Sequence, residues 1–330
     1  MPATALPPAP ASLLDAHGQP RHGRYQGCIA RHDWHPLPMT RWQGLLRPLR
    51  HKRWQYLALA HDDYLVGLAV VDVGWTAAAF AYLFDRRQRR ILADVAADSF
   101  PLHGAQLADQ PFADASFTGR GLSVRFERQT ARLAVEVHSA QLRLAAHVSL
   151  DPMPPVLAAI GPANWLAHST HKSTALAVSG FADCQGQRFS LDGAVASLDY
   201  SNGLLARRTD WRWASAHGSE LGFNLQQGYM GDAENACWLH GKLYPLSAVE
   251  FTFDPQQPLQ PWQLRSSDGL LALQFSPEGL RAKNQNLLIA SSRYIQAIGR
   301  FDGYLTDPLS GTRHVVQALT GVTEDHYARW

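Results

Sequence analysis

The sequence predicts an all-β protein built as two antiparallel, calycin- or lipocalin-like β-barrel or sandwich halves in tandem. Three observations lead there. Runs rich in Val, Leu, Phe, Tyr and Trp recur about every ten residues with short turn-like breaks between them. No long stretch keeps apolar residues at helical spacing between capping residues. Asp151-Pro152-Met153-Pro154-Pro155 interrupts the chain near its middle, where prolines would break a ladder and stiffen a connection. Long up-and-down antiparallel sheets close on themselves to hide their edges, and a barrel of about eight strands can hold one small ligand inside.

Taken in order, residues 1–20 read as a flexible Pro/Ala-rich tail, 21–155 as an N-terminal β domain and 156–330 as a C-terminal β domain carrying most of the motifs. In the first half, His22–Arg31 is a short strand-like piece and His32–Arg53 reads as irregular. Strand composition then covers Trp54–Ala60, Tyr64–Val73, Trp75–Asp85, Ile91–Phe100, Gly121–Arg128, Arg132–His138 and Gln141–Leu150. Arg86, Arg87, Arg89 and Arg90 read as a solvated turn between two of these. In the second half, strands are expected over Asn164–His168, Ser173–Ala182, Gln187–Leu198, Ala206–Ala216, Leu221–Gln227, Ala236–Leu239, Ala248–Asp254 and Trp262–Ser266. Leu270–Ser276, Gly279–Asn284, Tyr294–Tyr304 and Thr312–Val322 follow. Ser267-Asp268-Gly269 and Pro277-Glu278-Gly279 carry turn chemistry.

Composition narrows the function classes. At 330 residues, 46% hydrophobic and only 18% charged, with ten tryptophans, the chain is a folded, aromatic-rich protein. A net charge of +2 argues against a nucleic-acid partner. The cysteines Cys28, Cys184 and Cys237 are far apart and lack Cys-x-x-Cys spacing, which argues against a disulfide framework and fits a reducing, cytoplasmic setting. The start of the chain lacks a basic, apolar signal pattern. The most apolar stretch, Leu57–Phe84, is broken by Asp62, Asp63 and Asp72, so no transmembrane segment is expected. Oligomeric state is left open.

Glycine-rich phosphate loops, dinucleotide fingerprints, Gly-x-Ser-x-Gly and His-Glu-x-x-His are all missing, so no cofactor or metal is expected. His168 and His171 would bind a metal only if acids converged on them. The densest chemistry lies at 199–213, Asp-Tyr-Ser-Asn-Gly-Leu-Leu-Ala-Arg-Arg-Thr-Asp-Trp-Arg-Trp. Asn202-Gly203 between strand-like runs is a hairpin signal. A two-residue turn would put Asp199, Arg208, Asp210 and Arg212 on one face. Tyr200, Arg207, Trp211 and Trp213 would share the other. That second face would be an aromatic wall with one guanidinium, suited to a pocket. The plainer alternative is an exposed Asp/Arg ladder backed by core tryptophans.

Acids set among aromatics stand out at Asp199, at Glu234-Asn235 and at Glu324-Asp325-His326, which precedes Tyr327 and Trp330. In an apolar pocket a carboxyl group is held protonated near neutrality and can act as a general acid, and aromatic faces stabilise the cation it creates. The alternatives are a turn cap for Glu234 and a solvated C-terminal end for Glu324-Asp325. Thr170-His171-Lys172 is a compact donor and base cluster, or else a surface loop.

These residues carry a family resemblance. Val70-Val71-Asp72-Val73-Gly74, Phe80-Ala81-Tyr82, Thr170-His171-Lys172, Leu198-Asp199-Tyr200 and Gly203-Leu204-Leu205-Ala206-Arg207-Arg208-Thr209 resemble the bacterial family known as domain of unknown function 2804. Trp211-Arg212-Trp213-Ala214, Asn224-Leu225, Gly231, Glu234-Asn235 and Gly321-Val322-Thr323-Glu324-Asp325-His326 extend the resemblance over most of the chain. More distantly, the architecture is similar to tandem calycin-like proteins such as the carotenoid 1,2-hydratases and the kievitone hydratase group. That is fold-level analogy and does not fix function.

The expectation is a cofactor-free acid–base enzyme acting on a hydrophobic, terpenoid- or polyketide-like molecule by hydration, dehydration, isomerisation or cyclisation. Asp199, Glu234 and His171 are the candidate catalytic residues. Tyr200, Arg207, Trp211, Trp213, Asn224, Asn235 and Lys172 are the candidate substrate contacts. A non-catalytic binder of hydrophobic ligands and a carbohydrate-active protein are the alternatives.

Overall fold

The computed structural model describes residues 5–99, 104–163, 166–287 and 290–329. Within them the chain is nearly all-β, folded as two curled antiparallel half-barrel sheets. Phe100, Asn164, Trp330 and the first four residues of the expected tail lie outside the described residues.

Alternation builds the strands. Leu122–Arg128, Arg132–Ser139 and Leu142–Ser149 each bury every second side chain, the pattern of a half-buried sheet. The first sheet holds fifteen strands among the described residues. Four of them form a meander, Arg90–Asp98, Ala77–Asp85, Tyr64–Asp72 and His51–Ala60. His51–Ala60 then pairs with Val195–Leu204, which borders both Leu166–Lys172 and Leu176–Cys184. From Leu176–Cys184 the sheet continues through Leu142–Ser149 to Ala105–Leu107. Among the described residues the second sheet holds nine strands. At its centre Arg208–His217 lies between Leu221–Gly228 and the C-terminal Arg313–Arg329.

Each sheet curls around its own core. Leu57, Phe117, Val135 and Leu198 come from distant strands of the first sheet and share one cluster. Phe223, Trp262, Phe275 and Phe301 do the same in the second. A third layer joins the sheets, with Tyr56, Leu65, Tyr82 and Phe84 on one side and Trp213, Ile298 and Val322 on the other. Each large apolar side chain buried there stabilises the junction by about 1.5–3 kcal/mol.

Several expectations change. Asn202-Gly203 makes no hairpin; both residues lie inside Val195–Leu204 and pair with Arg53 and Lys52. The glycine serves a close approach instead, because a Cβ on Gly203 would meet His168 Cα at 2.6 Å. Asp199 therefore shares no hairpin face with Arg208, Asp210 and Arg212, because the strands that carry them belong to different sheets. The crossing between sheets falls at 205–207, whereas Asp151–Pro155 connects two strands of the first sheet. Residues 5–20 are not a loose tail: Leu13 and Leu14 are buried with Ile29, Trp34 and Ile160. Pro277-Glu278-Gly279 is a bulge inside the long strand Leu271–Leu287, not a turn. Arg86 is no solvated arginine. It reaches across the junction to both Glu278 oxygens at 2.8 and 3.0 Å and to Thr320 Oγ1 at 2.7 Å. Arg281 makes a second bridge, to Asp94 at 2.9 Å.

Candidate functional site

The period of two decides which residues meet at the junction. On His51–Ala60, Leu57 and Leu59 enter the first core while Tyr56 turns to the second sheet. On Arg208–His217, Ala214 and Ala216 enter the second core and Trp213 turns back toward the first sheet. A cavity of about 160 Å³ lies between these faces. The cavity is thus between the sheets and not inside either half-barrel. Its walls are mainly aromatic, including Trp54, Tyr56 and Phe80 from the first sheet and Trp211, Trp213 and Tyr294 from the second. Trp54 and Trp211 face one another across the junction, centroids 6.4 Å apart and 17° from parallel. An apolar cavity of about 150 Å³ takes up benzene, so this one has room for a single ring or a branched chain.

The first polar group is built on Lys172, buried at the end of Leu166–Lys172. Its Nζ donates to Asp199 Oδ2 at 2.5 Å and lies 3.2 Å from Glu234 Oε2. Lys172 and Asp199 are neighbours because their strands pair in register. Glu234 arrives from the second sheet, on the turn before Ala236–Leu239. Burial opposes the charge on Lys172, but the two carboxylates outweigh it and hold the ammonium above its usual value. Burial pushes Glu234 up and Lys172 pulls it back in part. Asp199 Oδ1 is buried without a hydrogen-bond partner among the described residues, as are Tyr229 Oη and His168 Nδ1 nearby. A buried polar atom left unpaired costs about 1–3 kcal/mol, which a ligand or water at the cavity would relieve.

The second polar group centres on Glu324. Its Oε1 accepts from Trp211 Nε1 at 2.8 Å and its Oε2 from Gln296 Nε2 at 3.4 Å. Tyr82 Oη donates to Gln296 Oε1 at 2.7 Å, which fixes the amide so that its NH2 faces Glu324. Burial pushes the Glu324 carboxyl from 4.5 up to about 7; the Trp211 bond draws it down in part and Asp199 adds to the rise. His326 Nδ1 lies 3.8 Å away, and burial pushes that ring down to about 3, so near neutrality it is uncharged. Burial likewise keeps the Tyr56 and Tyr294 hydroxyls protonated, well above their usual range.

The structure gathers Asp199, Glu234, Lys172, Trp211 and Trp213 at this cavity and leaves the other expected residues out. His171 points to the opposite face, where its Nε2 accepts from the Ile29 N–H at 3.1 Å and its ring packs edge-on to His32. His168 lines the cavity, so the two histidines sit on opposite faces and cannot share a metal. Among the described residues no cluster of three or more His, Cys, Asp or Glu is placed to hold one. Tyr200 lies in the first core, bonded through Oη to Ala108 O. Arg207 is exposed in the crossing between sheets. Asn224 and Asn235 act behind the wall. Asn224 accepts from Trp213 Nε1 at 2.8 Å and donates to Glu234 O at 2.8 Å. Asn235 bridges Gln226 N and Ser247 O. The sequence singles out none of Trp54, Tyr56, Tyr229, Tyr294 and Gln296, and His168 only as a metal ligand, although the alternation Trp54-Gln55-Tyr56 marks one face of a strand.

Two solved structures are similar in fold. A candidate AttH protein of Nitrosomonas europaea superposes with a TM-score of 0.54 at 14% identity, over 83% of this chain and 92% of that one. Kievitone hydratase of Nectria haematococca superposes with a TM-score of 0.51 at 10% identity, over 84% of this chain and 88% of that one. At such identities the likeness is one of fold. No curated protein sequence matches the chain. The family described as Domain of unknown function (DUF2804) matches residues 7–330, and the chain belongs to that family.

Proposed function

We propose that the protein is an acid–base enzyme acting on an apolar small molecule held between its two sheets, with Glu324 as general acid. The observation that carries this reading is a carboxyl raised to about 7 on an aromatic wall, in the same cavity as a buried ion trio. A group with that pKa is both protonated and able to give up its proton near neutral pH. Protonation of a carbon–carbon double bond would break the Glu324 O–H bond, form a C–H bond and leave a cation. The faces of Trp54, Trp211 and Trp213 suit that cation. The acidic side chains of Asp199 and Glu234, both in contact with Lys172, line the same cavity and also suit it. Water adding to the cation would release its proton to the unpartnered oxygen of Asp199. Run in reverse, the same groups would eliminate water; without water, loss of a different proton gives isomerisation and internal capture gives a ring. The fold shared with kievitone hydratase is consistent with this chemistry.

The test is deuterium transfer. Any molecule that co-purifies with the protein, and a panel of terpenoid and polyketide alkenes, are incubated in D2O with the wild type and with Glu324→Gln. Carbon-bound deuterium that appears only with the wild type is the expected result. Ligand retained by both proteins with no label in either would leave a hydrophobic-ligand binder.

A further inference from the structure

We propose that residues 41–50, which lead into the strand that carries Trp54 to the cavity wall, form a docking face for an anionic lipid bilayer. Two short helices, Arg41–Leu45 and Arg47–Arg50, make the face. Thr40 and Gln43 close the first with reciprocal bonds of 3.3 and 2.8 Å, a capping box that fixes its start. Eight large apolar side chains are exposed among the described residues, and four of them are here: Trp42 at 78%, Leu45 at 64%, Leu46 at 46% and Leu49 at 49%. Scattered exposed leucines need no explanation, but a cluster with a tryptophan marks an interaction surface.

The charge pattern selects the partner. The sequence has no carboxylate from Trp34 to His61, while Arg41, Arg47 and Arg50 lie among the apolar residues. The carboxylates of Asp72 and Asp109 beside this segment are paired with Arg53, at 2.8 and 3.0 Å. Trp and Leu set among arginines are the composition that enters the headgroup region of anionic membranes. A second copy is a poor fit, because a two-fold contact would set these arginines against themselves.

The face is also held rigidly. Buried Lys52 donates to Leu49 O at 2.9 Å and to Val73 O at 2.5 Å, tying the second helix to the end of Tyr64–Asp72. Gly74, at φ +85°, passes so close that a Cβ would meet Pro48 O at 1.9 Å. The strand His51–Ala60 starts directly after the face and carries Trp54 into the cavity wall, about 10 Å farther along at strand spacing. A molecule leaving the bilayer would meet that wall first. This last step rests on the proposed function; the docking does not.

The experiment is co-sedimentation of the full chain with vesicles of phosphatidylcholine alone and of phosphatidylcholine with phosphatidylglycerol in equal parts. The wild type and Glu324→Gln are expected to sediment with the anionic vesicles alike, and less at high salt. Trp42→Ala/Leu45→Ala/Leu49→Ala should bind at least tenfold more weakly with an unchanged thermal midpoint. Arg41→Glu/Arg50→Glu should lose the preference for phosphatidylglycerol. Wild-type protein left in the supernatant, or a triple variant that binds as well as the wild type, would overturn the proposal. So would sedimentation velocity showing a wild-type dimer that the triple variant abolishes. Equal binding by Glu324→Gln keeps the docking separate from the chemistry.

Discussion

Replacing Glu324 by Gln keeps the shape of the side chain and an oxygen to accept from Trp211, removes the titrating proton and turns an NH2 toward Gln296 in place of the acceptor Oε2. The size of the effect follows from burial. The carboxyl titrates at about 7 in the folded chain against 4.5 in its ordinary setting. At about 1.4 kcal/mol per pH unit, that gap is worth about 3 kcal/mol. The sign is set by which state holds the proton. Between the two values the unfolded chain has released it and the folded chain still binds it, so stability falls as pH rises and the loss is complete above about 7. Glutamine has no such slope. Urea unfolding of both proteins, followed by tryptophan fluorescence from about pH 4 to about pH 8, isolates this group because the other titrations cancel in the difference. The wild type should lose about 3 kcal/mol relative to Glu324→Gln across that range. A flat difference would mean that the folded protein holds Glu324 ionised, and the general-acid reading would fall with it.

Other consequences are more local. Trp211→Phe removes the hydrogen bond that favours the ionised carboxylate, so the same difference titration should move upward by about one pH unit. An unmoved or lowered midpoint would show that Trp211 does not tune the acid. Lys172→Met leaves Asp199 and Glu234 buried without their cation and should cost about 3–5 kcal/mol in urea unfolding. Adding Asp199→Asn and Glu234→Gln to it should restore most of that loss, and failure to do so would mean that the lysine matters by its packing. Arg207→Ala, on the exposed crossing, should change stability by less than about 0.5 kcal/mol and leave ligand retention in native mass spectrometry unaltered.

Much of the architecture was legible because alternation is a local signal. Trp262–Ser266 and Ala236–Leu239 form over the residues that composition marks. Leu157–Ala163 and Lys242–Pro245 escaped notice, the first holding a proline and the second short. What failed was what depends on distant partners. Asn202-Gly203 has the chemistry of a hairpin, but its glycine answers to the backbone of His168 across the sheet. The site shows the same division. Acids among aromatics were visible at 199, 234 and 324, yet only the register of Lys172 with Asp199 and the docking of the second sheet separate an ion trio from a lone protonated acid. Tyr200 and His171 read like site residues because they adjoin Asp199 and Lys172 in sequence. In a strand, adjacency places a side chain on the opposite face.

A cavity walled by the outward faces of two separate sheets has a practical corollary. Any molecule lodged there touches both halves at once, and so strengthens their association by RT ln(1 + [L]/Kd). At about one hundred times Kd that is about 2.7 kcal/mol, enough to move a melting curve by a few degrees. The protein can therefore be screened against compound collections by melting temperature alone. Because the wall residues Trp54, Tyr56 and Trp211 lie outside the two sheet cores, they are also the natural positions at which related chains could change ligand without refolding the cores.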